Sequence, residues 1–325
     1  MIVAEQVTGV VVEATSHCNL HCPQCPRYDQ EGFLNKFLVP DHLDFEAFEQ
    51  NFVLSQLPNL KHIVFEGDYG DIMMHPRAES FFRHCSSVES IVAYTNGSMR
   101  STTWWANLAT IPNLTVVFSI DGLADTNATY RINADFDKIM RNARAYINAG
   151  GRATWKFLVF KHNQHQVAQA QELAASMGFA DFQTQSTNRN FWDNPIWPVK
   201  INGEYSHDIE MSDTADSTRT KDYIVALDKV KQQQFTKPSC SWINSGRIYI
   251  NHKGHVIPCC MTSGLSWQRD ISAQLWQRII QHVDSIDINQ HNIADILTSD
   301  FFVHNLATSL SSAKTVHPTC LSQCS

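Results

Sequence analysis

Short β-branched runs alternate with longer amphipathic stretches from residue 8 to about residue 182. Residues 8–14, 60–66, 90–95, 114–120 and 154–160 have the length and composition of strands, with a weaker candidate near Phe182. Between them, residues 45–57, 78–85, 102–109, 136–149 and 164–177 carry apolar positions at helical spacing. Asp44 and Asp135 stand where the first and fourth helices need an N-cap, and Gly178 where the fifth needs a C-cap. Repeated βα units with right-handed crossovers predict an α/β fold, a partial (β/α)6-type parallel barrel with its functional loops at the carboxyl ends of the strands.

Beyond residue 186 the periodicity breaks and the composition turns polar. Trp192, Pro195, Trp197 and Pro198 precede an Asp/Ser/Thr-rich stretch, residues 211–220. Residues 186–238 are therefore expected to be a connection over the barrel mouth. In it Trp192 and Trp197 form either a packing cluster or a pocket wall, and His207, Asp208 and Glu210 are either solvated or substrate contacts. Residues 247–251 and 256–258 flank His252-Lys253-Gly254-His255, a hairpin turn. The expected domains are 1–185, the barrel; 186–238, the connection; and 239–325, a small cysteine-bearing module.

The 325 residues are 43% apolar and 18% charged, typical of a globular chain, and a formal net charge of −7 disfavours nucleic acid as a partner. No apolar run is long enough for a membrane helix, and residues 1–9 lack a secretion signal, so a cytoplasmic location is expected. Nine cysteines in such a chain point to metal binding or catalysis. Cys18, Cys22 and Cys25 share one loop after the first strand. Cys240, Cys259, Cys260, Cys320 and Cys324 fall in the last third, and Cys85 stands apart in a helix with Phe81 and Phe82, as a buried small hydrophobe would.

The spacing C-x3-C-x2-C at Cys18, Cys22 and Cys25 gives three thiolates to a four-iron cluster that normally takes four. One iron is left open to chelate the amino and carboxylate groups of S-adenosylmethionine, whose reductive cleavage yields a carbon radical able to abstract hydrogen. Zinc, with His17 or His21 as fourth ligand, is the competing reading of the spacing. Cys240, Gly254 and Cys259, spaced C-x13-G-x4-C, together with Cys320 and Cys324 supply four thiolates, which fit one closed four-iron cluster or a structural zinc.

The segment from Glu13 to Arg27, Glu-Ala-Thr-Ser-His-Cys-Asn-Leu-His-Cys-Pro-Gln-Cys-Pro-Arg, resembles the signature loop of radical S-adenosylmethionine enzymes. Gly67-Asp68-Tyr69-Gly70-Asp71 resembles the family's Gly-Gly-Glu-Pro segment, with Asp71 where Glu is common. Thr95-Asn96-Gly97, Ser119-Ile120-Asp121-Gly122 and Tyr130-Arg131 follow in order at the later strands. The resemblance implies that Gly70, Asp71, Asn96, Ser119, Asp121 and Arg131 surround the cofactor. On it, the Gly70–Asp71 segment meets the methionine amino group, and Ser119 and Arg131 meet the ribose and carboxylate. Gln24 occupies the place where the family often has an aromatic residue near the adenine. The C-terminal cysteines resemble a SPASM domain in its shortened "twitch" form, which carries one auxiliary cluster.

The cofactors so implied are two [4Fe-4S] clusters and S-adenosyl-L-methionine, with a flavodoxin- or ferredoxin-type electron donor. The expected substrate is a peptide or protein residue, modified by epimerisation, cross-linking or oxidation while held between barrel and auxiliary cluster. A small carbohydrate-like metabolite dehydrogenated at a C–OH carbon is the competing substrate. A non-catalytic iron–sulfur carrier or redox sensor is the competing class, although a carrier would want both clusters closed. Residues 1–7 leave no leader-binding domain, so a leader would be expected to use a separate partner. Cys260, next to Cys259 on an extended segment, is expected to point away from the cluster, into packing or toward the substrate as a hydrogen-atom donor.

Overall fold

Alternation in the first half of the chain becomes six strands, β1 (Gly9–Val12), β2 (His62–Phe65), β3 (Ser90–Thr95), β4 (Leu114–Ser119), β5 (Arg152–Val159) and β6 (Asp181–Ser186). Four more follow: β7 (Ile196–Ile201), β8 (Glu204–Glu210), β9 (Arg247–Ile250) and β10 (Val256–Ile257). The helices of the first half are α1 (Phe45–Asn51), α2 (Ala78–His84), α3 (Thr102–Leu108), α4 (Asn127–Tyr130), α5 (Phe136–Asn148) and α6 (Val167–Met177). The computed structural model describes residues 2–187, 191, 194–215, 238–264, 279–312, 315–316 and 320.

The caps fall where the sequence puts them. Asp44 accepts from the Ala47 amide at 2.9 Å and Asp135 from the Lys138 amide at 2.9 Å, while Gly178 turns the chain out of α6 at φ 86°. α1 stops at Asn51, short of the expected residue 57, and a 3-10 turn, Leu54–Gln56, follows. The backbone leaves the helical region at Phe52 (ψ 72°) and Val53 (ψ 109°), and Pro58 disfavours helical backbone at Leu57, so the helix does not resume through residue 57.

The chain divides into two units, Met1–Ala14, Asp41–Val64 and Thr218–Ser325 in the first, Thr15–Pro40 and Phe65–Ser217 in the second. In the first, the strand order is β10-β9-β1-β2. β9 and β10 form the expected antiparallel hairpin, with Gly254 at φ 91° in its turn. The sequence did not reveal that β9 lies parallel to β1, from Gly9 opposite Arg247 to Val12 opposite Ile250. Just beyond β1, the buried Glu13 carboxylate meets Nδ1 of buried His252, at the β9–β10 turn, at 3.0 Å. Glu13→Ala should therefore lower stability by about 3 kcal/mol in urea unfolding, the usual cost of stripping one partner from a buried pair. A loss below about 1 kcal/mol would show that the pair contributes little. Ile286, Ile288, Ile293, Ile296, Leu297, Phe301 and Phe302 supply buried apolar side chains, and Asn51 in α1 donates to the Ile288 carbonyl at 2.8 Å.

In the second unit β3-β4-β5-β6 run parallel in sequence order. Trp105, Phe118, Tyr146 and Trp155 are fully buried, and their polar atoms are satisfied: Tyr146 donates to the Leu114 carbonyl at 2.9 Å and Trp155 to that of Ile120 at 2.9 Å. These parallel βα units are the α/β class expected. The segment read as an irregular connection contains an antiparallel hairpin, β7–β8, with a register shift at Val199/Lys200. Its Val199 and Ile209 join Tyr130, Phe160 and Phe191 in an apolar cluster against which Trp197 also packs, so Trp197 takes the packing role; Trp192 lies outside the described residues. Pro198 and a mostly polar β8 hid this hairpin from periodicity. Among the described residues no helix is long and apolar enough to cross a membrane.

Candidate functional site

The three-cysteine loop belongs to the second unit and is pinned by its own backbone and by one buried cation. The Cys25 amide donates to the Cys22 carbonyl at 3.3 Å and the Tyr28 amide to that of Cys25 at 3.0 Å. Gln24, between these cysteines, is buried with a left-handed φ of 61°, and its side-chain amide has no hydrogen-bond partner among the described residues. Arg27 is buried and donates through Nη1 to the carbonyls of Ser16 and of Tyr69, the latter at 2.7 Å. It thereby ties the loop to the Gly67–Asp71 segment. Tyr28 donates to the Leu20 carbonyl at 3.1 Å and stacks on His21 with ring centroids 3.7 Å apart.

Cys18 Sγ faces the Leu20 amide at 3.5 Å and Asn96 Nδ2 at 3.7 Å, and Cys22 Sγ faces Arg131 Nη1 at 4.0 Å. N–H groups aimed at sulfur stabilise thiolates bound to metal. Cys22 also packs against the Tyr130–Phe160–Phe191 cluster, a dry flank. Burial pushes both thiols up to about 12, so as free thiols they are neutral, and charge on them calls for a metal partner. Three soft donors, part-buried and flanked by N–H groups, fit a four-iron cluster. Among the described residues no three His, Cys, Asp or Glu side chains converge as ligands of a single ion would.

Gly70 lies so close to the loop that an added Cβ would sit 1.7 Å from the Thr15 carbonyl oxygen. The neighbouring Asp71 amide donates to the His17 carbonyl at 2.9 Å. Gly70→Ala should cost about 3 kcal/mol and displace the loop. Thermal unfolding and the iron content after reconstitution would read both effects, and unchanged values would mean that the backbone absorbs the methyl. Asp71 is buried, and its carboxylate accepts from the Met73 amide at 3.0 Å, the Thr95 hydroxyl at 2.9 Å and the Asn96 amide at 2.7 Å. Burial raises its pKa, opposed by the Asn96 and Met73 amides. The carboxylate thus holds the end of β3 against the loop. Asn96 in turn donates to Asn19 Oδ1 at 3.0 Å and accepts from the Ser98 amide at 2.9 Å, which aims its Nδ2 at Cys18.

Ser119, at the end of β4, is part-exposed and paired in register with Lys156, and no protein hydrogen bond to its hydroxyl is seen among the described residues. Asp121, two residues on, is fully buried; it accepts from the Leu158 amide at 2.7 Å and from Arg131 Nε at 2.5 Å. Burial raises the Asp121 pKa, and Arg131 is the largest influence opposing it. The pair is an anchored unit whose guanidinium faces Cys22. The sequence analysis missed Asn19, Arg27, Ser98 and Asn163, whose Nδ2 donates to the Asp121 carbonyl at 2.9 Å. Only Asn19 and Arg27 had a signal, as neighbours of the cysteines.

In the first unit, Cys240 precedes a short helix, Ser241–Asn244, and Cys259 follows β10. Burial pushes Cys259 up to about 11, and Cys240 adds to this, which places the two sulfurs in electrostatic reach of each other. Cys320 is part-buried, and Cys324 lies outside the described residues. The expectation for Cys260 loses its premise: β10 ends at Ile257, before Pro258, and Cys260 opens a short helix, Cys260–Gly264, so strand alternation does not orient it. Cys85 is fully buried, as expected. His75 is also buried, with Nδ1 accepting from the Arg77 amide at 2.9 Å.

Residues 240–325 match the family model of SPASM, an iron–sulfur cluster-binding domain. No curated protein matches the chain. Among solved structures, Streptococcus suis SuiB bound to precursor peptide SuiA is similar at 13% identity and a TM-score of 0.58, over 98% of this chain and 71% of that one. SuiB bound to S-adenosylmethionine gives 13% and 0.58, over 96% and 72%. Native anSMEcpe with bound AdoMet and Cp18Cys peptide gives 14% and 0.51, over 97% and 85%. The fold is shared with these proteins.

Proposed function

We propose that this chain, whose residues 240–325 belong to the SPASM family of iron–sulfur cluster-binding domains, is a radical S-adenosylmethionine enzyme that modifies a peptide or protein residue. The observation that carries the reading is the convergence of Asn96 on Cys18 and of Arg131 on Cys22, from the ends of separate elements, around a three-thiol loop. When bound at Cys18, Cys22 and Cys25, a four-iron cluster with S-adenosylmethionine on its open iron supplies the 5′-deoxyadenosyl radical.

The residues of this chain do the positioning. Gly70 lets the second-strand segment approach the loop, and Asp71 fixes Asn96. Ser119 offers a free hydroxyl to the cofactor's ribose, and Asp121 aims Arg131 at the cluster edge and the cofactor carboxylate. Cys240, Cys259, Cys320 and Cys324 are the ligands proposed for an auxiliary four-iron cluster, and a flavodoxin- or ferredoxin-type protein is the proposed electron donor. The peptide substrate is supported by SuiB and anSMEcpe, which share the fold and were each determined with a peptide.

The test is anaerobic reconstitution followed by incubation with dithionite and S-adenosylmethionine. The reading expects 5′-deoxyadenosine, with deuterium transferred into it from a perdeuterated peptide encoded beside this chain's gene. Iron-loaded protein that forms no 5′-deoxyadenosine would overturn the class; 5′-deoxyadenosine with no deuterium from any neighbouring peptide would overturn the substrate.

A further inference from the structure

We infer that Lys156, on the part-exposed face of β5, is the anchor for a carboxylate side chain, Glu or Asp, of the peptide substrate; the inference rests on the function proposed above. Parallel sheets of α/β proteins are normally apolar on both faces. Strands β3 to β5 are buried throughout on only one. Ile91, Ala93, Leu114, Val116, Phe118, Trp155 and Phe157 alternate along one face and are all buried. The other face is mixed: Val117 and Thr154 are buried, but Tyr94, Ser119, Lys156 and Leu158 are part-exposed, and it continues onto β6 with Gln183 and Gln185, which are exposed. A face built of these residues is a lining rather than a core.

Register places Lys156 between Ser119 on β4 and Gln183 on β6. Its ammonium reaches back across β4 to lie 5.2 Å from the centroid of the Tyr94 ring on β3. A cation held over an aromatic face stays above the sheet instead of extending into bulk water. Among the described residues Lys156 has no ion pair and no hydrogen bond. Three carboxylates among the described residues lie near this group of side chains; one of them, Asp181, shares the face with Gln183 on β6 and already accepts from Gln183 Nε2 at 2.6 Å. Asp121 feels the Lys156 charge but is already neutralised by Arg131 at 2.5 Å, and the exposed Glu66 acts on Tyr94. Among the described residues the face therefore holds a lysine ammonium with no ion pair, beside the Ser119 hydroxyl at the carboxyl end of the strands and, one step further along β6, the Gln185 amide. A carboxylate supplies the missing charge and accepts from those donors.

The probe is an acetylated, amidated random hexapeptide library offered anaerobically, without reductant, to reconstituted enzyme holding S-adenosylmethionine. The retained peptides are sequenced by mass spectrometry. Wild-type protein should enrich Glu or Asp at one position about tenfold. Lys156→Met, which keeps the stem over Tyr94, should abolish that enrichment, and Lys156→Glu should replace it with Lys or Arg. S-adenosylmethionine affinity, measured by equilibrium dialysis, should be unchanged in both variants. No acidic enrichment by the wild type, or the same enrichment by Lys156→Met, would overturn the inference. So would a loss of S-adenosylmethionine affinity in Lys156→Met, which would assign the ammonium to the cofactor's carboxylate instead. Wild-type protein that fails to bind S-adenosylmethionine would overturn the functional reading, a result separate from the library outcome.

Discussion

Cys22→Ala, reconstituted under anaerobic conditions, is expected to lose about half of the roughly eight irons per chain that two four-iron clusters imply, and all 5′-deoxyadenosine formation. The same holds for Cys18→Ala and Cys25→Ala, because three thiolates are the fewest that leave one iron open while still holding the cube. The variants should remain folded. Cys22 is one part-buried side chain beside the Tyr130–Phe160 cluster, and exchanging its sulfur for a hydrogen costs about 1 kcal/mol in typical cores. Cys85→Ala is the control: it also removes a buried sulfur, but in α2's neighbourhood beside Phe81 and Phe82, so iron content and product formation should not change. Full iron in Cys22→Ala would mean that another residue holds the first cluster. Stoichiometric zinc without iron in the wild type would exclude the cluster altogether.

Asn96→Leu separates ligation from tuning in the same experiment. It removes the Nδ2 group 3.7 Å from Cys18 and leaves every thiol in place. The expected result is full iron with an altered electron paramagnetic resonance spectrum of one reduced cluster, since N–H groups near sulfur set a cluster's electronic properties.

How far the sequence carries this site depends on the distance along the chain between interacting groups. Cys18, Cys22 and Cys25 were legible because the ligands are neighbours on one loop. Asp44, Asp135 and Gly178 were legible because a cap acts within one helical turn. The parallel pairing of β1 with β9 was not, since it joins Gly9 to Arg247 and neither strand's own pattern names its partner. Asp71 was read as a cofactor contact from its place in a spacing motif; that its carboxylate also accepts from the Thr95 hydroxyl and the Asn96 amide was not legible, because a spacing motif gives the place of an acid but not its hydrogen bonds. Lys156 attracted no notice as one charge in a strand. Only the register that sets it beside Ser119 and over Tyr94 gives it a role.

Arg131→Ala should carry two effects of different origin, and Arg131→Lys should separate them. Asp121 is fully buried and depends on Arg131 for its charge partner, so removing the guanidinium should destabilise the fold by about 3 to 5 kcal/mol unless the carboxyl takes up a proton. Burial already raises the Asp121 pKa with Arg131 present, and without it the neutral acid would be favoured further. The loss should therefore be smaller at acidic pH, where protonation costs less, and larger at neutral pH. Arg131→Lys keeps a positive charge near Asp121 but cannot donate from Nε to the carboxylate and from Nη1 toward Cys22 at once. It should recover most of the stability while S-adenosylmethionine affinity stays at least about tenfold below wild type, with the iron of the first cluster retained. Equilibrium dialysis read beside urea unfolding makes the distinction. Wild-type affinity in a folded Arg131→Lys or Arg131→Ala protein would confine Arg131 to holding Asp121, and the proposed cofactor shell would then rest on Asn96 and Ser119 without it.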